Sequence, residues 1–257
     1  MDFSTVVEDL QNSSLSCPGE LDLWLILSHN TASHEPLLSE LIRRSLNPVR
    51  RPLLGPAGDP GAPANTSPMH KCILFCTHKS PRFYQQLLSS AILGRDQYCS
   101  LSTVDVGDVV RQSLTEDCKE VPGFMSQEFS SNLWRYISDK SNEFAETVKQ
   151  SPTCVATLIV DNLTCLFDLG LNARQIDRLL VQWSRSQLRL LIGCHVGQDF
   201  QDESLPEHDH TLVHCLETWK NRAPVVLEVR PLETGYTTSL DGEIEALNYV
   251  LVTGGQC

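Results

Sequence analysis

The sequence predicts an α/β protein built on a mostly parallel sheet with helices on its faces. The first observation is the apolar run Val155–Val160, which has the length and composition of a strand buried on both faces. The second is the helical spacing of apolar residues between Ile176 and Trp183, and the third is another apolar run, Leu188–Cys194. A strand, a helix and a strand in about forty residues form a βαβ unit, whose right-handed crossover makes the strands parallel.

The length suits one α/β domain or two small ones, and the composition is ordinary for a soluble protein. The chain has 257 residues, 41% of them hydrophobic, and a formal net charge of −12, which argues against binding nucleic acid through overall basicity. The net charge does not exclude nucleic-acid binding by a local strip of basic residues. We treat 1–257 as one domain with a Pro/Gly-rich insert at 47–69, because Asn47 to Pro68 holds six prolines and three glycines without periodicity. Ten cysteines, mostly in apolar runs, are expected to be reduced and buried.

Further strands and helices alternate along the chain. Strands are expected at Leu21–Leu27, Lys71–Cys76, Ser100–Val106, Val225–Val229 and Ile244–Val252. Helices are expected from Pro36 to Leu46, from Pro81 with Tyr84, Leu87, Leu88, Ala91 and Ile92 on the buried side, and over Ser126–Gln150. The segment Leu163–Leu171 is expected to be a short connection. Pro231–Tyr236 and the turn Asp241-Gly242 predict a C-terminal antiparallel hairpin.

The turn after the first strand is where a phosphate-binding loop would lie. Such a loop needs glycines, so that backbone N–H groups can surround a phosphate, and a Lys that reaches it. The turn has neither residue type, and we expect no nucleotide there; His29 and His34 are expected to cap and solvate it. The degenerate loop positions are Ser28, His29, Asn30 and Thr31.

Asp161 follows the central apolar run directly. Nucleotide-binding sheets hold a Mg²⁺-associated aspartate at this place, the carboxyl end of a strand. The alternative is that Asp161 only ends the strand, and the sequence leaves both interpretations open.

A group of His, Asp and Cys residues lies between 207 and 215. Clustered ligands of this kind suggest zinc, and a metal-dependent hydrolase using His208, His210 and His214 is one alternative function. The residues follow one another too closely for one tetrahedral site, so we expect an acidic surface loop leading into a short helix, with no metal. No catalytic motif occurs, and no catalytic residue or cofactor is predicted.

Three stretches carry a resemblance to a known family: Leu158–Leu163 with Leu169-Gly170-Leu171, Leu190–His195, and Pro231–Tyr236. The first is similar to the Asp-containing strand and the second to the next strand of the sixth-subunit family of the Elongator complex, whose members have a RecA-like ATPase fold without the phosphate loop. The third resembles that family's Pro-Leu-x-Thr-Gly-aromatic stretch and is the most specific of the three. The fifth Elongator subunit has the same fold and remains an alternative, as does a divergent RecA-like ATPase.

The resemblance implies a non-catalytic, structural role. Family members form a heterohexameric ring with the fourth and fifth subunits, join the remaining Elongator core and bind tRNA during wobble-uridine modification. It also implies a location in the cytoplasm, and in the nucleus as well, with no membrane partner. By position in such a ring, the candidates for contact with the tRNA backbone are Arg174, Arg178, Lys220 and Arg222.

Overall fold

The computed structural model describes residues 22–29, 32–46, 69–89, 99–116, 127–151, 154–196, 207–231 and 243–246. Its centre is a seven-stranded sheet in the order β3-β2-β4-β5-β1-β6-β7. All neighbouring strands run parallel except β6 and β7. The strands are β1 (Leu23–His29), β2 (Met69–Cys76), β3 (Cys99–Asp105), β4 (Cys154–Val160), β5 (Arg189–Val196), β6 (Val225–Arg230) and β7 (Glu243–Ala246).

Helices cover both faces of the sheet. In chain order they are α1 (Glu35–Leu46), α2 (Pro81–Leu87), α3 (Val106–Glu116), α4 (Gln127–Lys149), α5 (Leu163–Asp168), α6 (Ala173–Arg185) and α7 (Glu207–Lys220). The apolar sides of α1 and α2 pack on one face, and those of α3 to α7 pack on the other. Successive residues of β1 alternate between these two cores, Trp24 facing α1 and Leu25 facing the opposite layer.

The strand order and the single antiparallel edge confirm the RecA-like, mostly parallel fold class. Crossovers from β1 and β2 run toward one edge of the sheet, whereas those from β3, β4 and β5 run toward the other. The adjacent strands β1 and β5 therefore lead to helices on opposite faces. A crevice opens at their carboxyl ends, which is where open α/β sheets bind ligands.

Several local predictions differ from the structure. The expected connection Leu163–Leu171 contains α5, because the side chain of Asn162 accepts a hydrogen bond from the Thr164 N–H and caps a helix. The stretch after Glu207 was expected to be a loop that leads into a short helix, but the whole of Glu207–Lys220 is helix α7. Its buried positions Leu212, Leu216 and Trp219 lie four and three residues apart, a helical period obscured in the sequence by intervening polar residues.

Two further differences concern α2 and α3. Leu87, expected to be buried, is exposed on α2. The chain after Asp105 turns directly into α3, which was not expected, so Val106 starts a helix and does not end a strand. Ala91, Ile92, the insert from Asn47 to Pro68 and the hairpin residues 232–242 lie outside the described residues.

Candidate functional site

A cleft of about 850 Å³ lies at the carboxyl ends of β1, β2, β4 and β5. Its volume is in the range of small-molecule sites. Mostly buried polar groups line its floor, and apolar side chains on and beside α2 line one side, next to polar and charged residues of α1. The polar floor is contributed by Ser28, His34, Asn162, Thr164 and His195.

His34 is buried at the floor of the cleft and does not solvate the turn, so that expectation was wrong. Its Nε2 lies 2.5 Å from the backbone oxygen of Asp161, and its Nδ1 lies 2.7 Å from Oγ of Ser28. The imidazole lies against Gly193 of β5, where a Cβ would come within 2.6 Å of Nε2 and 2.3 Å of the Asp161 oxygen. A residue without a side chain at 193 is therefore what lets the ring bridge β1 and β4.

The protonation state of this chain of hydrogen bonds follows from its acceptors. A carbonyl oxygen only accepts, so His34 carries its proton on Nε2 and donates it to Asp161. Nδ1 then accepts the Ser28 hydroxyl proton, while Ser28 Oγ is 3.2 Å from Nδ1 of His195 and accepts from it. Burial lowers the pKa of His34, which keeps the ring neutral.

The side chain of Asp161 binds the turn that follows β2. Its carboxylate accepts hydrogen bonds from the backbone N–H groups of Thr77, His78 and Lys79, at 2.7, 3.2 and 3.0 Å. The hydroxyls of Thr77 and Tyr84 lie 2.5 and 3.4 Å from the same carboxylate. Because a carboxylate has about four acceptor positions, the turn and these hydroxyls occupy them.

His195 is positioned by the start of α5. Its backbone N–H lies 3.1 Å from Oγ1 of Thr164 and 3.3 Å from Oδ1 of Asn162, and its carbonyl accepts from the Thr164 hydroxyl at 2.9 Å. The ends of β4 and β5 are thereby joined, and the His195 ring contacts Ser28 in the cleft.

A second group of polar side chains lies on the α1–α2 side. Nε2 of His78 lies 3.6 Å from Glu35 and Nδ1 lies 3.7 Å from Sγ of Cys165, while Nζ of Lys79 is 3.4 Å from Glu35. Burial tends to raise the pKa of Glu35, but a hydrogen bond from its own N–H and the nearby His34 and Lys79 lower it overall. Burial raises the pKa of Cys165 to about 12, so its thiol stays protonated.

The degenerate loop positions separate in the structure. Ser28 belongs to the cleft floor, whereas His29 points to the neighbouring strand, with Nε2 3.3 Å from Glu228. Asn30 and Thr31 lie outside the described residues. Gly193 was the sequence signal for the buried histidine, because a lone glycine inside an apolar strand marks a close approach.

The four candidates for tRNA contact lie on α6 and just around the end of α7. Arg174 and Arg178 are exposed one turn apart on α6, and the Arg222 guanidinium lies 5.3 Å from the centre of the Trp219 ring. Lys220 differs, because its Nζ is 2.9 Å from the carboxylate of the buried Glu228. Burial tends to raise the pKa of Glu228, but hydrogen bonds from Lys220 and Arg230 lower it overall.

Within the described residues no group of three or more His, Cys, Asp or Glu side chains is arranged to hold a metal. The side chains of His208 and His210 lie outside the described part of the chain. His214 is exposed. In the described part of the chain, no helix combines the length and apolarity needed to cross a membrane.

Comparison with known proteins gives likeness of fold at low sequence identity. No family model and no curated protein matches the chain. A KaiC-like protein from Pyrococcus horikoshii is 11% identical with a TM-score of 0.44, over 93% of this chain and 88% of that one. An uncharacterized protein from the same archaeon, solved with an unknown peptide, is 10% identical with a TM-score of 0.48, over 93% and 97%. At this similarity neither structure bears on activity, and the strand order described above carries the fold assignment.

Proposed function

We propose that the chain is a non-catalytic structural subunit of the Elongator complex. It forms a heterohexameric RecA-like ring with the fourth and fifth subunits, joins the remaining core and binds tRNA in support of wobble-uridine modification. The family assignment draws on the resemblance of Leu158–Leu163, Leu190–His195 and Pro231–Tyr236 to the sixth subunit.

The engagement of Asp161 is the observation that supports a non-catalytic role. In a phosphoryl-transfer site the equivalent aspartate holds Mg²⁺ beside the nucleotide. Here its carboxylate already accepts from the N–H groups of Thr77, His78 and Lys79. Releasing it would remove the partner of these part-buried donors. Each lost hydrogen bond costs about 1 kcal/mol. Such a domain contributes by binding partner molecules on its surface and not by catalysis.

The proposed tRNA contacts lie on α6 and at the carboxyl end of α7. The Cys215 thiol lies 3.9 Å from the Ala173 carbonyl, and the Trp219 indole N–H donates to Asp177 at 2.9 Å, so α6 and α7 run side by side. Arg174 and Arg178 are exposed on α6 and supply two positive charges one turn apart. Phosphate contacts of this type weaken as salt rises.

Assembly tests the proposal first. The chain is co-expressed with the fourth and fifth Elongator subunits of the same organism, and the mass of the purified complex is measured. We expect six subunits, two copies of each. Assembly with the fourth and sixth subunits instead would identify the chain as the fifth. An isolated chain that stays alone and hydrolyses ATP would overturn the proposal.

The tRNA contacts are tested on the assembled ring. We expect the double substitution R174E/R178E to weaken tRNA binding and to reduce the slope of log affinity against log salt by about two. R185E changes an exposed arginine at the other end of α6 and is the matched control. Equal losses in both variants would point to net charge and not to a local contact.

A further inference from the structure

The cleft has an apolar lip on α2. Phe83 and Leu87 lie one helical turn apart there, 36% and 48% exposed, and both line the cleft. In the described part of the chain the other large apolar side chain exposed to this degree is Val155, near the amino end of β4 and away from the cleft. Adjacent exposed apolar side chains beside a cleft are typical of a docking surface.

Basic groups surround this lip. In the ion pair Arg43–Glu40 the arginine side chain is 53% exposed and the glutamate 20%, and in the pair Lys79–Glu35 the values are 36% and 14%. In both pairs the base is the member that faces solvent. Arg82 on α2 is also exposed and is a third positive charge beside the lip. The α1–α2 side of the cleft therefore fits an acidic, apolar partner; the exposed acid Asp168 lies on the α5 side.

The chain contains a segment with this chemistry. Residues 1–20, which lie outside the described residues, carry four acidic residues and no Lys or Arg; the first basic residue of the chain is Arg43. Between residues 2 and 10 the apolar positions follow the spacing i, i+3, i+4, i+7 of one helix face, with acidic residues between them. The apolar positions are Phe3, Val6, Val7 and Leu10.

We propose that residues 2–10 dock along the lip of the cleft in the same molecule. The apolar positions cover Phe83 and Leu87, and the carboxylates face the bases of α1 and α2. The linker reaches, because the eleven residues 11–21 span up to about 36 Å when extended. The strand β1 that must be passed is about 23 Å long. Helix-in-groove recognition uses this same spacing of apolar anchors.

Hydrogen exchange of the full chain, followed by mass spectrometry, tests the proposal. Amides of residues 3–10 should exchange at least about tenfold more slowly than in a synthetic peptide of residues 1–20. The double variant F83S/L87S should remove this protection. The matched control V155S alters an exposed apolar residue away from the cleft and should retain it. Amides of β4 and β5 report that each variant is folded.

Further variants alter the apolar residues of the segment itself and a positive charge beside the lip. F3S/V7S leaves the described residues unchanged and should speed exchange of the amides of residues 83–88. R82E should reduce the protection of residues 3–10, whereas R185E should not. Free-peptide exchange rates for residues 3–10 in the unaltered chain overturn the proposal, as does protection that survives in F83S/L87S. Protection lost on dilution assigns the segment to a second copy and overturns the intramolecular form.

Discussion

His34 and Asp161 meet 2.5 Å apart across Gly193, with the imidazole Nε2–H donating to the backbone oxygen at the end of β4. This contact ties the turn after β1 to the central strand of the sheet. The side chain of the same aspartate ties the turn after β2 to that strand. The region where a RecA-like domain would hold nucleotide is therefore organised by internal hydrogen bonds around residue 161.

Substitution of Gly193 should disrupt the contact. In G193A the new methyl group would lie 2.3 Å from the Asp161 oxygen and 2.6 Å from Nε2 of His34, and one of these neighbours is backbone. We expect a loss of about 1–3 kcal/mol in the free energy of unfolding, the usual cost of overpacking, measured by urea denaturation. G107A is the control, because its Cβ would meet the side chains of Asp105 and Arg111 at 3.0 and 3.2 Å, where the partly exposed ends can move. Equal effects would contradict the special role of position 193.

The Ser28–His34 pair should behave as a coupled unit. H34L leaves the Ser28 hydroxyl and the Asp161 carbonyl without this partner, and S28A leaves Nδ1 of His34 without a donor. Each single change should cost about 1–3 kcal/mol, and the double variant less than their sum. A double-mutant cycle by urea unfolding measures the coupling, and strict additivity would show that the two side chains do not interact.

Stability should fall on mild acidification. The pKa values of His34, His29 and His70 are each lowered, with burial as the main cause. A histidine whose folded pKa lies below its unfolded value binds fewer protons in the folded state, so stability drops as pH falls below about 6.5. Urea unfolding at pH values from 7.5 to 5 measures this, and H34L should remove part of the slope. A slope unchanged in H34L would show that His34 does not contribute.

Removal of the Asp161 carboxylate should create an anion site. D161A frees the N–H groups of Thr77, His78 and Lys79, which then point into the space that the carboxylate occupied. We expect a large loss of stability, partly restored by sulfate or phosphate through preferential binding to the folded state. Thermal unfolding with sulfate, compared with chloride at equal ionic strength, measures the effect. The unaltered chain controls for general salt stabilisation, and an equal response in both would exclude a specific site.

The extent of prediction from sequence differs between elements. The buried strands β4 and β5 could be predicted from their continuous apolar runs, and helix α6 from the helical spacing of its apolar residues. Trp183 of α6 is buried and stacks on Phe75 in the core. Helix α7 was expected only as a short helix after a loop, because its few buried residues are separated by charged and polar neighbours that hide its early start at Glu207. Leu87 was taken as buried because it lies three residues after the buried Tyr84, yet α2 packs beside β3, the edge strand of the sheet, and Leu87 is exposed.

The sequence by itself determined the fold class, and it showed that the turn after β1 lacks the glycines and the lysine of a phosphate-binding loop. Both can be read from residues that are neighbours in the chain. Only the tertiary structure decided which side chains occupy the cleft beside that turn. Ser28, His34, Asp161 and Gly193 come from separate parts of the chain and meet because β1, β4 and β5 are adjacent and parallel. Whether Asp161 faces a ligand or a backbone turn depends on where β2 ends beside β4. That register arises from packing of the whole sheet, so no local pattern carries it.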